Sequence, residues 1–296
     1  RLLTVGHGFG VPEGVPLFRM DPPGPLRLSE PAALTAALED LARNGASGAK
    51  LWYDDSYGQF PKMAREVATH IIATCRRLGL RSYAHVYRVD DAKWLVGQGL
   101  DVLAHMPRDR RADDELAALM KERDAAVVPT LTVPHSNIAY LDAPAFVAEP
   151  LFARFLPEGS REHVRSEAFL ETIRAKAEFP HLRDDLSNAL ANVGVLHGAG
   201  ARFGFGTDAG VANRIVGFAA HHELELLVSA GVSAAEALRM ATLGAASVLG
   251  RRHLGEIAPG KLADILVLRA DPLLDVRGTR AIDAVWLDGA PARGAL

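Results

Sequence analysis

The sequence predicts an α/β protein built on a parallel sheet with crossover helices. Short apolar runs and helical-period segments alternate six times with brief connections, which is the mark of that class. Polar side chains suited to chemistry recur where those apolar runs end. Doubly wound sheets and eight-fold barrels share this alternation. A doubly wound dinucleotide binder needs Gly-x-Gly-x-x-Gly just after a strand. The nearest stretch, Gly198-Ala-Gly200-Ala-Arg-Phe203, lacks the third glycine and precedes its strand, so that reading fails.

The chain has 296 residues, enough for one large domain with a full core and a small appendage. Its 49% hydrophobic and 23% charged content is that of an ordinary globular protein. A net charge of −3 gives no footprint for nucleic acid or an anionic membrane. No apolar run reaches the roughly 18 residues of a membrane span. The one cysteine, Cys75, excludes an internal disulfide framework and a cysteine-based zinc site. The sequence leaves the location open, with the cytoplasm favoured, and it leaves a homo-oligomer open too.

Residues 1–6 form the first apolar run, followed by a Gly/Pro-rich loop over 8–25. Ser29 and Pro31 open a helix with Leu34, Leu38 and Leu41 on one face and Asn44-Gly45 at its end. Strand Gly48–Trp52 empties into Tyr53, Asp54 and Asp55. The next helix carries Val67, Ile71, Cys75 and Leu78 and stops at Gly79. Strand Arg81–Val86 contains His85, and a short helix from Asp90 ends in Gly97 and Gly99. Strand Asp101–Ala104 runs into His105. Asp113 or Asp114 caps a helix that turns Leu116, Leu119 and Met120 inward, and strand Ala125–Leu131 follows.

A partly helical insertion spans 134–180. A helix around Leu186, Leu190 and Val193 then leads through Gly198 and Gly200 to a strand over 202–210 that ends in Asp208. Two helices come next. One carries Ala220, Leu224, Leu227 and Val228; the other starts with the capping box Ser233-Ala-Ala-Glu236 and buries Leu238, Ala241, Ala245 and Leu249. After Pro259-Gly260 the texture turns to strands at 263–268 and 282–287 with Asp288-Gly289 as a hairpin turn.

Lys50, His85, His105 and Asp208 therefore sit at or near the carboxyl ends of four different predicted strands. In an α/β barrel those ends converge on the catalytic face, and imidazole with carboxylate is a ligand set that zinc favours. Each has a plainer reading: a hydrogen-bonded core histidine, a helix-capping aspartate, a lysine laid along apolar surface. His135 and His222 are weaker candidates for substrate contact. His222-Glu223 is no zincin motif, because position 226 is leucine. Tyr53, Asp54, Asp55, Arg108, Arg110 and Tyr140 follow strands and are expected to rim a pocket, where an arginine suits a substrate carboxylate.

With these residues placed, the chain resembles the amidohydrolase superfamily in its imidazolonepropionase-like and prolidase-like branch. The resemblance rests on Gly48-Ala-Lys-Leu-Trp-Tyr-Asp-Asp55, Tyr83-Ala-His-Val86, Leu103-Ala-His105, Val128-Pro-Thr-Leu131 and Gly206-Thr-Asp-Ala-Gly210. It continues through His222-Glu-Leu-Glu-Leu226 and Leu254-Gly-Glu-Ile-Ala-Pro-Gly-Lys-Leu-Ala-Asp264. It implies a (β/α)8 TIM barrel, present from its third to its eighth strand over residues 1–254, and part of a small β-sandwich over 255–296. It implies Lys50, as a carbamate bridging two metals, His85, His105 and Asp208 as ligands of one or two divalent ions, zinc first among them. Asp208 is also the implied proton shuttle. The implied reaction is metal-assisted hydrolysis of an amide, peptide-like or cyclic C–N bond in a small molecule.

The His-x-His of the family's first strand is nowhere in the chain, and His7-Gly-Phe9 does not supply it. An amino-terminal truncation of roughly a hundred residues is the expected account. Two alternatives stay open: a non-catalytic binding or assembly subunit, and a metal-free lyase that uses Lys50 as a Schiff-base nucleophile.

Overall fold

A computed structural model describes residues 2–16, 24–142, 147–156, 160–176, 178–210 and 214–292. Arg1 and residues 17–23, on which parts of the expected first strand and loop fall, lie outside them, as do short pieces of the expected insertion. The chain divides into two compact units, residues 1–128 with 195–202, and 129–194 with 203–296.

The first unit opens with a departure from expectation. Residues 2–6 form no strand; Gly6 takes φ +59, which ends an extended run. Pairing begins instead at Phe9, whose N–H donates to the Lys50 carbonyl at 2.7 Å and whose carbonyl accepts from Trp52 N–H at 3.0 Å. Gly8 makes this possible, since a Cβ there would lie 2.2 Å from the Trp52 ring. Helix α1 (Pro31–Arg43) forms as the sequence predicts, with proline in its first turn and Leu34, Leu38 and Leu41 buried. β1 (Gly48–Tyr53), α2 (Arg65–Leu78), β2 (Arg81–Val86), α3 (Val89–Gly97), β3 (Val102–Leu103), α4 (Asp114–Glu122) and β4 (Ala126–Val127) then alternate. Gly79 ends α2 in the left-handed conformation, and Asp113 caps α4 by accepting from Leu116 N–H.

β1 through β4 pair in parallel, each with the next. Gly48 pairs with Arg81 and Tyr53 with Val86, so the pleat fixes two faces. Ala49, Leu51, Tyr53, Ser82, Ala84 and Val86 are buried on one; Lys50, Trp52, Tyr83 and His85 share the other. The sheet runs in the order β1-β2-β3-β4-β5, where β5 is only Arg202–Phe203. Five strands thus share the sheet among the described residues, against the six expected. The strand expected over 125–131 stops at Val127, and that over 202–210 stops at Phe203. Beyond those ends, Thr130 (φ +48) and Asp208 (φ +52) are left-handed and could not continue a strand.

In the second unit, the expected insertion is mainly helical: α5 (Thr132–Asp142), α6 (Pro150–Phe155), α7 (Ser160–His163) and α8 (Glu167–Arg174), then α9 (Leu182–Gly198), which passes into the first unit. Leu186 and Leu190 of α9 are only half-buried; Leu182, Ala189 and Val193 carry its burial. The core here is aromatic, with Tyr140, Phe152, Phe169 and Phe218 buried together. In α10 (Phe218–Ser229) Ala220 is exposed, and Phe218, Ala219, Glu223, Leu224, Leu226 and Leu227 face inward.

The capping box of α11 (Ala234–Arg239) is present, but the face expected after it is not. A wide π turn at Met240–Gly244 separates α11 from α12 (Ala245–Val248). That turn shifts the helical phase, so Ala237, Met240, Ala246 and Val248 are buried while Leu249 is exposed. β6 (Ile265–Leu268), β7 (Ile282–Leu287) and β8 (Ala290–Pro291) make a three-stranded antiparallel sheet. Asp288 (φ +56) and Gly289 (φ +78) close the predicted hairpin, both left-handed as that tight turn requires.

Candidate active-site residues

The first unit places Asp54, His85 and His105 at or just past the carboxyl ends of β1 to β3, with Lys50 in the middle of β1. Lys50 and His85 share a sheet face by register. His105 lies two residues beyond β3, where the ladder no longer dictates its side, and its ring meets that of His85 edge-on with centroids 4.5 Å apart. His105 is buried. Asp54, just past β1, places Oδ2 2.9 Å from His85 Nε2. An ionised carboxylate only accepts, so Nε2 carries the imidazole proton and Nδ1 keeps a lone pair. The Lys50 ammonium lies 5.2 Å over the Trp52 ring.

The charges agree with this arrangement. Burial pushes the Asp54 carboxyl up, but the hydrogen bond and charge of His85, the Ser56 N–H and Arg108 outweigh it and hold it down at about 2. Burial pushes His85 down, and Lys50 and Arg108 add to that against the opposing pull of Asp54. The pair is therefore a neutral imidazole beside a carboxylate, with His85 in the form that binds metal.

The second unit holds Asp208. Its left-handed backbone is gripped by Arg214, whose Nε donates to the Asp208 carbonyl at 2.7 Å and whose guanidinium donates to Oδ2 at 2.9 Å. Arg214 also lines a small pocket with His135, Phe152, Phe218 and His222 among its walls. His135 Nδ1 and His222 Nε2 are 3.0 Å apart, and the His222 ring stacks on Phe218. Burial, then His135 and Arg280, push His222 down to about 3, and burial also pushes His135 down. Neighbouring Glu223 is wholly buried and accepts from the N–H groups of Leu131 and Thr132.

Two of the residues expected on a pocket rim are elsewhere. Tyr53 ends β1 on the face opposite Lys50, stacked on Trp94 at 5.3 Å. Tyr140 lies on α5, edge-on to Phe152 and Phe169 in the aromatic core. Arg108 lies over the Tyr87 ring, and Arg110 forms a two-pronged pair with Asp90. Sequence reasoning put Asp54 among rim residues and missed its grip on His85; the strand-end position was its only signal. Arg214 and Glu223 carried no such signal.

The implied divalent metal fits these residues in kind. His85 and His105 offer two imidazoles, the nitrogen donors of zinc sites, which use three or four protein ligands. Among the described residues no group of three or more His, Cys, Asp or Glu side chains converges to hold an ion. Lys50 completes the set only if its ammonium becomes an anionic carbamate. No helix among the described residues is long and apolar enough to cross a membrane.

Residues 160–292 match the amidohydrolase family. A 63-residue stretch is 33% identical to adenine deaminase 1 of Carboxydothermus hydrogenoformans, covering 21% of this chain and 10% of that protein. A putative prolidase from Bifidobacterium longum is 24% identical with a TM-score of 0.74, over 97% of this chain and 64% of that one. A Xaa-Pro dipeptidase with bound methionine gives 24% and 0.68, over 90% and 60%. A. niger ochratoxinase gives 22% and 0.65, over 96% and 59%. At such identities the likeness is one of fold, and the chain spans less than two thirds of the length of each of these four proteins.

Proposed function

We infer, for a chain whose residues 160–292 match the amidohydrolase family and whose fold is that of prolidase-type hydrolases, that the protein is a metal-dependent hydrolase of C–N bonds. The observation that carries the reading is the edge-on pair of His85 and His105 at neighbouring strand ends, with Asp54 fixing the His85 tautomer. In this reading residues 1–254 would carry the third to eighth strands of the barrel and 255–296 the C-terminal part of a small β-sandwich.

In the first unit His85 and His105, with Lys50 as a carbamate, are the residues that would hold the ion, and Asp208 is the further ligand that the family resemblance implies. A divalent cation, zinc the first candidate, supplies Lewis-acid polarisation of a carbonyl and an activated water. Asp208 takes a proton from the attacking water and returns it to the leaving nitrogen. Arg214 holds that carboxylate through Oδ2. Asp54 keeps the His85 ring turned with Nδ1 open for ligation. Arg108 is the first-unit group suited to a substrate carboxylate; His222, a wall of the second unit's small pocket, is a separate candidate for substrate contact. An N-acyl amino acid or dipeptide is the substrate class these assignments suit, in keeping with the prolidases and the dipeptidase among the fold's relatives.

The test combines zinc analysis of the purified chain with hydrolysis of Xaa-Pro dipeptides and N-acyl amino acids. The double variant His85→Ala/His105→Ala should lose zinc, and Asp208→Asn should lose about 10²-fold or more in kcat, the scale of a lost acid–base group. Hydrolysis that survives chelation, or zinc retained by the double variant, overturns the reading.

A further inference from the structure

We propose that Glu223 is a positioning residue for Asp208, acting through Thr132. This rests on the reading of Asp208 as the proton carrier, and its test separates the two.

Glu223 is fully buried on α10. Its Oε1 accepts from Leu131 N–H at 2.7 Å and its Oε2 from Thr132 N–H at 2.8 Å. Those are N–H groups at the start of α5, which lack partners within the helix and carry the positive end of its dipole. A carboxylate 92 residues along the chain therefore caps α5. Thr132 then passes the restraint on: its hydroxyl donates to the Thr207 carbonyl at 2.8 Å, one residue before Asp208. Asp208 needs such a restraint, because a left-handed φ of +52 in a residue with a Cβ persists only where neighbours over-determine it. Arg214 grips Asp208 on one side, and Thr132 fixes the peptide that precedes it.

The choice of glutamate follows from the two oxygens. When the carboxylate is ionised each oxygen serves a separate buried N–H, whereas glutamine, like the protonated acid, would turn a donor toward the second N–H. A carboxylate in a dry interior is costly to bury, so a residue that only filled space here would be apolar.

Thr132→Val removes the hydroxyl and keeps the shape; Thr132→Ser keeps the hydroxyl; Glu223→Gln removes one acceptor. Hydrogen exchange of the full chain is followed in peptides covering 204–210 and, as a control, in α1 and β1. We expect Thr132→Val to speed exchange at 204–210 by roughly five- to tenfold, the equivalent of one lost hydrogen bond, with α1 and β1 unchanged. Glu223→Gln should do at least as much, and Thr132→Ser should restore the wild-type rate. Unchanged exchange at 204–210 in Thr132→Val, or a Thr132→Ser variant no better than valine, overturns the proposal. If these variants behave as expected while Asp208→Asn hydrolyses Xaa-Pro dipeptides at the wild-type rate, the positioning stands and the proton-carrier reading falls.

Discussion

Asp54 Oδ2 lies 2.9 Å from His85 Nε2, and this contact decides which imidazole nitrogen is open to a ligand. Replacing Asp54 by asparagine offers His85 a donor or an acceptor and so frees the tautomer. Second-sphere partners of ligating histidines are worth about 10- to 100-fold in metal affinity. Asp54→Asn should weaken zinc binding by that factor in a competition titration with a chromophoric chelator, while the fold by circular dichroism stays as it is. An unchanged affinity removes His85 from the ligand set.

Gly48 and Gly97 separate a glycine the fold needs from one it does not. A Cβ at Gly48 would lie 2.4 Å from the Arg81 carbonyl oxygen and 2.7 Å from the Tyr83 ring, and no flexible side-chain end can yield there. At Gly97, on α3, a Cβ meets nothing within 4 Å. Gly48→Ala should cost about 1–3 kcal/mol through overpacking between β1 and β2. Gly97→Ala should gain about 0.4–1 kcal/mol by restricting the unfolded chain. Urea unfolding of both variants checks the pair, and equal midpoints would contradict the β1–β2 register.

Glu223 links stability to pH. Burial pushes its carboxyl up to about 7, against the N–H groups of Thr132 and Leu131 that stabilise the charge. A folded-state pKa raised above the unfolded 4.5 means the native state holds the proton more tightly. The stabilisation is complete below pH 4.5 and is lost as the pH rises through 7. A shift of that size corresponds to roughly 3 kcal/mol. Unfolding free energy measured from pH 4.5 to 8 should therefore fall more steeply in the wild type than in Glu223→Gln, whose side chain does not titrate. Parallel curves would show that Glu223 keeps an ordinary pKa.

Where a residue's role depended on neighbours within one turn or one hairpin, the sequence disclosed it. Val67, Ile71, Cys75 and Gly79 announced α2 and its end, Ser233 with Glu236 announced a cap, and Asp288-Gly289 announced a turn. The ligand candidates were legible as strand-end histidines because strand ends follow from period and punctuation. Contacts across long separations were not. Glu223 meets Leu131 from 92 residues away, and although it stands in the stretch His222-Glu-Leu-Glu-Leu226, nothing local gives it that partner. Tyr53 and Tyr140 looked like rim residues because they follow apolar runs. Strand β1 runs one residue further than expected and turns Tyr53 onto Trp94, and α5 begins early enough to carry Tyr140 into the core. The π turn at Met240–Gly244 likewise broke a face that regular helical spacing had predicted.

Phe152 joins the second unit's core to its pocket. It is wholly buried, lies edge-on to Phe218 at 5.1 Å and to Tyr140 at 6.2 Å, and lines the same pocket as His135 and His222. Truncation of a buried phenylalanine costs about 3–5 kcal/mol, part of it from the cavity left behind. Phe152→Leu keeps most of the volume and loses the two aromatic contacts, which are worth about 0.5–1.5 kcal/mol each beyond burial. Phe152→Ala should thus unfold at a much lower denaturant concentration than Phe152→Leu. If the pocket receives the apolar part of a substrate, Phe152→Leu should raise KM for bulky N-acyl amino acids with kcat nearly unchanged, since it alters a wall and none of the proton-transfer groups. A fall in kcat at constant KM would instead place Phe152 among the residues that hold the reacting groups in line.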